Sequence, residues 1–164
     1  MGVNKMHTIK VGFIGRSGVI SNLIKLITWG KFSHVYIQLT DELIFETDVL
    51  KRVELFNIKH LDTSKITHWE LISIDITDEQ FIHLLQLCED VLGTEYDYKL
   101  IFKILCSVLF KRKINRTNEE QFICSELVGF ILYSIGVVND RSILSYSPNG
   151  LYKYMINNNI GRGE

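Results

Sequence analysis

A chain of 164 residues, 46% hydrophobic and 23% charged, is long enough for one domain that buries about two-thirds of the surface its unfolded form exposes. A formal net charge of −1 excludes a general nucleic-acid binder, which displays an excess of Lys and Arg. With one Pro and no Gly/Ser-rich stretch, low-complexity segment or internal repeat, no linker divides residues 1–164, which read as a single domain.

In chain order, Thr8–Ile14 reads as a short strand with Gly12 inside it, followed by a turn at Gly15-Arg16-Ser17-Gly18. Val19–Trp29 has helical spacing (Leu23, Ile24, Leu26, Ile27), with Gly30 as its stop signal. Ser33–Leu39 and Leu43–Val49 alternate as the strands of a hairpin about Thr40-Asp41-Glu42. Val53–Asn57 and Trp69–Ile74 read as further strands, and Lys59–Lys65 between them as a polar loop. Thr77-Asp78-Glu79-Gln80 is a capping box opening a helix to about Leu92, closed by Gly93. Further helices are expected over Tyr98–Phe110, from Cys124 to Gly136, and over Asn149–Ile156, the last opened by Pro148 at its first position. The order of elements is that of an α+β domain.

The N-terminus has no continuous apolar run of a secretory signal, Met6 breaks the myristoylation pattern, and Leu100–Phe110, interrupted by Lys103, is too short to span a bilayer. Three widely spaced cysteines then suggest reduced thiols, and a soluble, cytoplasmic protein is expected. Lys111-Arg112-Lys113 with Arg116 forms a basic cluster. Solvated surface is its favoured meaning, with an anionic substrate or a membrane surface as the less favoured one.

Cysteine carries the chemistry. Cys88 and Cys106 lie in apolar helix-like runs and read as small buried hydrophobes. Cys124 instead stands where a polar stretch gives way to a patterned helix, and unpaired N–H groups at a helix N-terminus favour the thiolate, the reactive form of cysteine. His34, in a strand whose alternation groups it with Tyr36 and Gln38, is the candidate base.

The hairpin register selects the third group. If Thr40-Asp41-Glu42 is a three-residue loop, Leu39 faces Leu43 and Glu46 faces Tyr36, on the face of His34. The apolar Val35, Ile37, Leu39, Leu43, Phe45 and Val49 take the other face. A two-residue loop would bury Glu46. Asp48, opposite His34 in the favoured register, is the rival orienting carboxylate, and ordinary solvated acids on an exposed hairpin face are the bland alternative.

The series Gly-Arg-Ser-Gly, Phe32-Ser33-His34-Val35, Glu46, Gly93-Thr94-Glu95-Tyr96-Asp97, Phe122-Ile123-Cys124-Ser125-Glu126-Leu127-Val128 and Ser147-Pro148-Asn149-Gly150-Leu151 resembles the circularly permuted NlpC/P60 papain-like hydrolases. Similarity is greatest to the YiiX/YebB-like branch, which also includes poxvirus proteins, and it spans nearly the whole chain. The permutation is the distinguishing mark: His34 precedes Cys124, whereas ordinary NlpC/P60 enzymes place Cys first.

The resemblance implies an antiparallel sheet packed against helices, Cys124 as nucleophile at a helix N-terminus, His34 as general base and acid, and Glu46 as the residue that orients His34. It also implies Tyr96 as an oxyanion donor, with Tyr98 two residues on as an alternative, and no metal or cofactor. Arg16 could contact an anionic group of the substrate or be a surface arginine. The implied activity is a cysteine peptidase or amidase acting on a peptide or peptidoglycan-like amide. The alternatives are a lipid-directed acyl hydrolase or acyltransferase similar to lecithin retinol acyltransferase-like proteins, and a non-catalytic binding module on the same fold. The oligomeric state is left open.

Overall fold

A computed structural model describes residues 5–47, 52–93 and 124–164. Six strands, β1 (Met6–Arg16), β2 (His34–Gln38), β3 (Leu43–Thr47), β4 (Val53–Asn57), β5 (Ile66–Thr77) and β6 (Arg162–Gly163), form one antiparallel sheet in the order β4-β3-β2-β1-β5-β6. Among the described residues the α-helices are α1 (Val19–Ile27), α2 (Asp78–Val91), α3 (Cys124–Ser134) and α4 (Pro148–Asn157). The expected α+β class is the class of the structure.

Local chemistry sets several of these boundaries. Thr77 accepts from the Gln80 backbone N–H at 3.2 Å while the Gln80 side chain accepts from the Thr77 N–H at 3.0 Å, so the capping box is complete and α2 begins there. Pro148 enters α4 at its first turn behind the Ser147 cap, where its missing N–H costs no helical bond. Gly93 and Gly136 have φ of 82° and 74°, the left-handed region in which helices end. Helix α1 stops differently. Its left-handed residue is Trp29 at φ 49°, not Gly30; the Trp29 N–H reaches Leu26 O at 3.4 Å and the Gly30 N–H reaches Lys25 O at 3.1 Å. Gly30 is needed for another reason, since a Cβ there would stand 2.1 Å from the Asn149 side chain.

The hairpin has the expected register: Ile37 faces Phe45, Gln38 faces Ile44, and the Leu39 N–H donates to Leu43 O at 2.8 Å across a three-residue loop. Val35, Ile37 and Phe45 enter the main core with Ile9, Val11, Phe13, Ile72 and Ile74, under Leu127, Val128, Ile131 and Leu132 of α3. The opposite face is not the solvated surface of the bland alternative. Every residue of β2 is buried, and Tyr36, Ile14, Ile44 and Leu61 make a second small core there. The segment read as a polar loop supplies its cover, because a 3-10 turn at Ile58–His60 brings Ile58 and Leu61 back over the sheet. Ile44 thus lies on the Glu46 face, and Glu46 is buried in the three-residue-loop register as well.

Strands β1 and β5 run to Arg16 and from Ile66, longer than the alternation predicts, because they pair with each other along nearly their whole length. The expected helix over Tyr98–Phe110, Cys106, Asp48, Tyr96, Tyr98 and the basic cluster at Lys111 to Arg116 lie outside the described residues.

Candidate functional site

His34 opens β2 beside Ile14 of β1, and Glu46 is the fourth residue of the next strand. The register sets Glu46 opposite Tyr36, one diagonal step from His34, and the two side chains meet: His34 Nε2 is 2.5 Å from Glu46 Oε2. Cys124, the first described residue of α3, is the second hydrogen-bond partner acting on the His34 ring. The chain therefore brings together Cys124, His34 and Glu46, which are 4%, 4% and 1% exposed.

Burial by itself pushes the His34 pKa down. The negative charge of Glu46 and the hydrogen bonds to Cys124 and Glu46 outweigh it, and the pKa is raised from 6.5 to about 10. An imidazolium here is stabilised at neutral pH by the carboxylate behind it and the sulfur in front of it. Cys88 has no such surroundings; burial in the α2 core pushes its thiol up to about 12, the behaviour of the structural cysteine the sequence indicates.

Arg16, the last residue of β1, follows a register shift at Gly15, and its backbone N–H donates to Ser33 Oγ at 3.1 Å. Its side chain lines a cleft of about 470 Å³ together with Glu46, Glu54, Phe56, His60 and Lys65. Arg16 and Glu46, both predicted from sequence, thus share one cavity wall on the sheet face that carries His34. Tyr36, on the same sheet face, receives the indole N–H of Trp69 at 2.9 Å, and burial pushes its hydroxyl up to about 12.

One residue of the site was quoted in the sequence motif without a role. Asn149, 3% exposed at the start of α4, accepts from the Phe32 N–H at 2.9 Å and donates to Phe32 O at 2.7 Å and Thr28 Oγ1 at 2.6 Å. It fixes the backbone two residues before His34. A polar Asn just after Pro, at the head of a helix, was the only signal, and it reads equally as a solvated first-turn residue.

No protein-family model matches the chain, and no curated protein matches it. Among solved structures it is similar to the metalloprotein YiiX from Escherichia coli O157:H7, with 14% sequence identity, a TM-score of 0.61, and coverage of 89% of this chain and 91% of that one. The chain has a YiiX-like fold. At that identity the likeness concerns the fold alone, and with nearly all of both chains superposed it is a likeness of the whole domain.

Proposed function

We propose that this chain is a cysteine-dependent hydrolase of the permuted papain-like kind, cleaving an amide through Cys124, His34 and Glu46. The observation that carries the reading is His34 bonded at once to Cys124 and to Glu46, with its pKa raised to about 10. A histidine held this way can take the thiol proton and keep it.

The Cys124 sulfur attacks the carbonyl carbon, forming a C–S bond, and His34 passes its proton to the departing amine nitrogen as the C–N bond breaks. Acylation removes the sulfur's share in holding the His34 proton, which favours its transfer to the leaving group. Water then gives a proton to His34 and attacks the thioester; the C–S bond breaks, the acid departs, and His34 keeps the proton beside the freed thiolate, restoring the starting pair. Glu46 holds Nε2–H throughout, fixing the tautomer. The Cys124 backbone N–H and Tyr96 are the proposed oxyanion donors, and Arg16, with Tyr98, the proposed contacts for the substrate's polar end.

YiiX is described as a metalloprotein. Among the described residues of this chain no group of three or more His, Cys, Asp or Glu is arranged to hold a metal ion.

The reading is tested by assaying wild type, Cys124→Ala and His34→Ala against panels of peptide, acyl-amide and ester substrates, with trapping of the thioester by mass spectrometry. Amide turnover abolished in both variants supports it. Turnover unaffected by Cys124→Ala ends it. A second reading, a lipid-directed acyl hydrolase or acyltransferase, is favoured by the exposed apolar side chains of α1, and ester or phospholipid turnover in the same panel would select it.

A further inference from the structure

Helix α1 has no buried residue, although six of its nine positions, Val19, Ile20, Leu23, Ile24, Leu26 and Ile27, are apolar. Val19 is 86% exposed and Leu26 68%; Trp29, two residues past the helix, is 87% exposed. Leu23, Ile24 and Ile27 are half-buried, and the exposed side chains of Val19, Ile20, Leu26 and Trp29 form an apolar surface awaiting a partner.

Trp29 makes the case specific. It occupies the left-handed position of the helix-ending motif, where glycine is the usual residue and a bulky side chain is strained. The strain is held in place from outside the helix: Thr28 Oγ1 donates to Ile24 O at 2.8 Å and receives Asn149 Nδ2 at 2.6 Å, while Gly30 packs under the Asn149 side chain. The backbone strain costs stability and the exposed indole returns none within the described residues, the pattern expected of a group displayed for contact.

The charge around α1 selects the occupant. Helix α1 and its flanks, residues 16–31, contain Arg16, Lys25 and Lys31 and no Asp or Glu. Lys31 shares its charge with Glu70, and Lys25, in the last turn of α1, remains beside the apolar face. A second copy of this chain would bring like charge against like. An anionic lipid surface matches both features, because Trp prefers the headgroup level, the aliphatic side chains reach the acyl boundary, and the lysines meet the phosphates.

We infer that α1 and Trp29 dock this protein on a bilayer bearing anionic lipids, through Val19, Ile20, Leu26 and Trp29 as the inserted side chains. The inference stands apart from the hydrolase reading. The helix connects β1 to β2, so a bilayer held there lies at the end of the sheet from which His34 starts.

The test is co-sedimentation of the full chain with phosphatidylcholine vesicles, with and without about 30% phosphatidylglycerol, at low and at high salt. Parallel fluorescence uses a Trp69→Phe background, which leaves Trp29 as the only tryptophan. Running both on Cys124→Ala as well as wild type keeps failure here separate from failure of the hydrolase reading. Expected are binding that favours anionic vesicles and weakens with salt, and a blue shift of Trp29 emission with quenching by lipids brominated on their acyl chains. Affinity should fall about tenfold or more in Val19→Ser/Leu26→Ser/Trp29→Ser and less in Lys25→Glu, with unchanged melting temperatures because the positions are exposed. No binding to anionic vesicles, or equal binding by the triple variant, overturns the inference. So does Trp29 emission already blue-shifted in the lipid-free monomer, or a dimer that the triple variant abolishes.

Discussion

Asn149 grips both backbone polar groups of Phe32, 117 residues away in sequence, with its amide oxygen on the N–H at 2.9 Å and its amide nitrogen on the carbonyl at 2.7 Å. Phe32 and Asn149 are buried, so neither Phe32 group has water to fall back on. The pair locks the backbone that delivers His34 to Cys124.

Asn149→Ala should therefore cost about 2–4 kcal/mol, because a buried donor and a buried acceptor lose their partner together. Asn149→Asp keeps the acceptor and loses the donor, and should fall between. Urea denaturation measures the loss. If Asn149 positions His34, kcat should drop with KM little changed even where the variant is fully folded; a folded variant with wild-type kcat would reduce Asn149 to a structural role.

Thiol labelling distinguishes the cysteines. With His34 beside it, Cys124 should react with iodoacetamide near neutral pH at least about tenfold faster than Cys88, whose thiol burial holds up to about 12, and His34→Ala should slow Cys124 alone. Peptide mapping by mass spectrometry reads both rates. Equal modification of Cys88 and Cys124 in the native protein would contradict an activated thiol.

The His34 pair gives a pH dependence with a definite sign. Because the folded pKa of about 10 exceeds the unfolded 6.5, the folded state holds the proton more tightly. The stabilisation is complete below about 6.5 and is lost as pH rises through about 10. Wild type should thus lose stability relative to His34→Gln across that window, measured by denaturant midpoints at about pH 6, 8 and 10. Glu46→Gln removes the charge that opposes burial, so His34 should titrate well below about 10 when followed by NMR. An unshifted titration would mean Glu46 is not the source.

Gly12 is required by the packing of Tyr36. A Cβ at position 12 would lie 2.0 Å from Tyr36 Cζ, so Gly12→Ala must displace the ring. A loss of about 1–3 kcal/mol is expected, with a red-shifted Trp69 emission as its bond to Tyr36 Oη breaks. Wild-type stability in this variant would show that the ring can move aside freely.

Short-range chemistry was legible in the chain itself. The capping box at Thr77 and Gln80, Pro148 at the head of α4, the glycine stops at Gly93 and Gly136, and the hairpin register pairing Ile37 with Phe45 are each set by residues a few positions apart. From that register follows the shared face of His34, Glu46 and the rival Asp48; the contact of His34 with Glu46 is read from the structure. Tertiary structure decided what closes over that face: Leu61 and Ile58 return from a segment whose polar composition reads as solvent, and so bury Glu46, whose charge then acts at short range on His34. It also decided the clamp of Asn149 on Phe32, the strand order β4-β3-β2-β1-β5-β6 with β6 at its edge, and the exposure of α1, which helical spacing alone leaves open. Periodicity specifies which side chains share a face. Only the path of the distant chain determines whether that face meets protein or water.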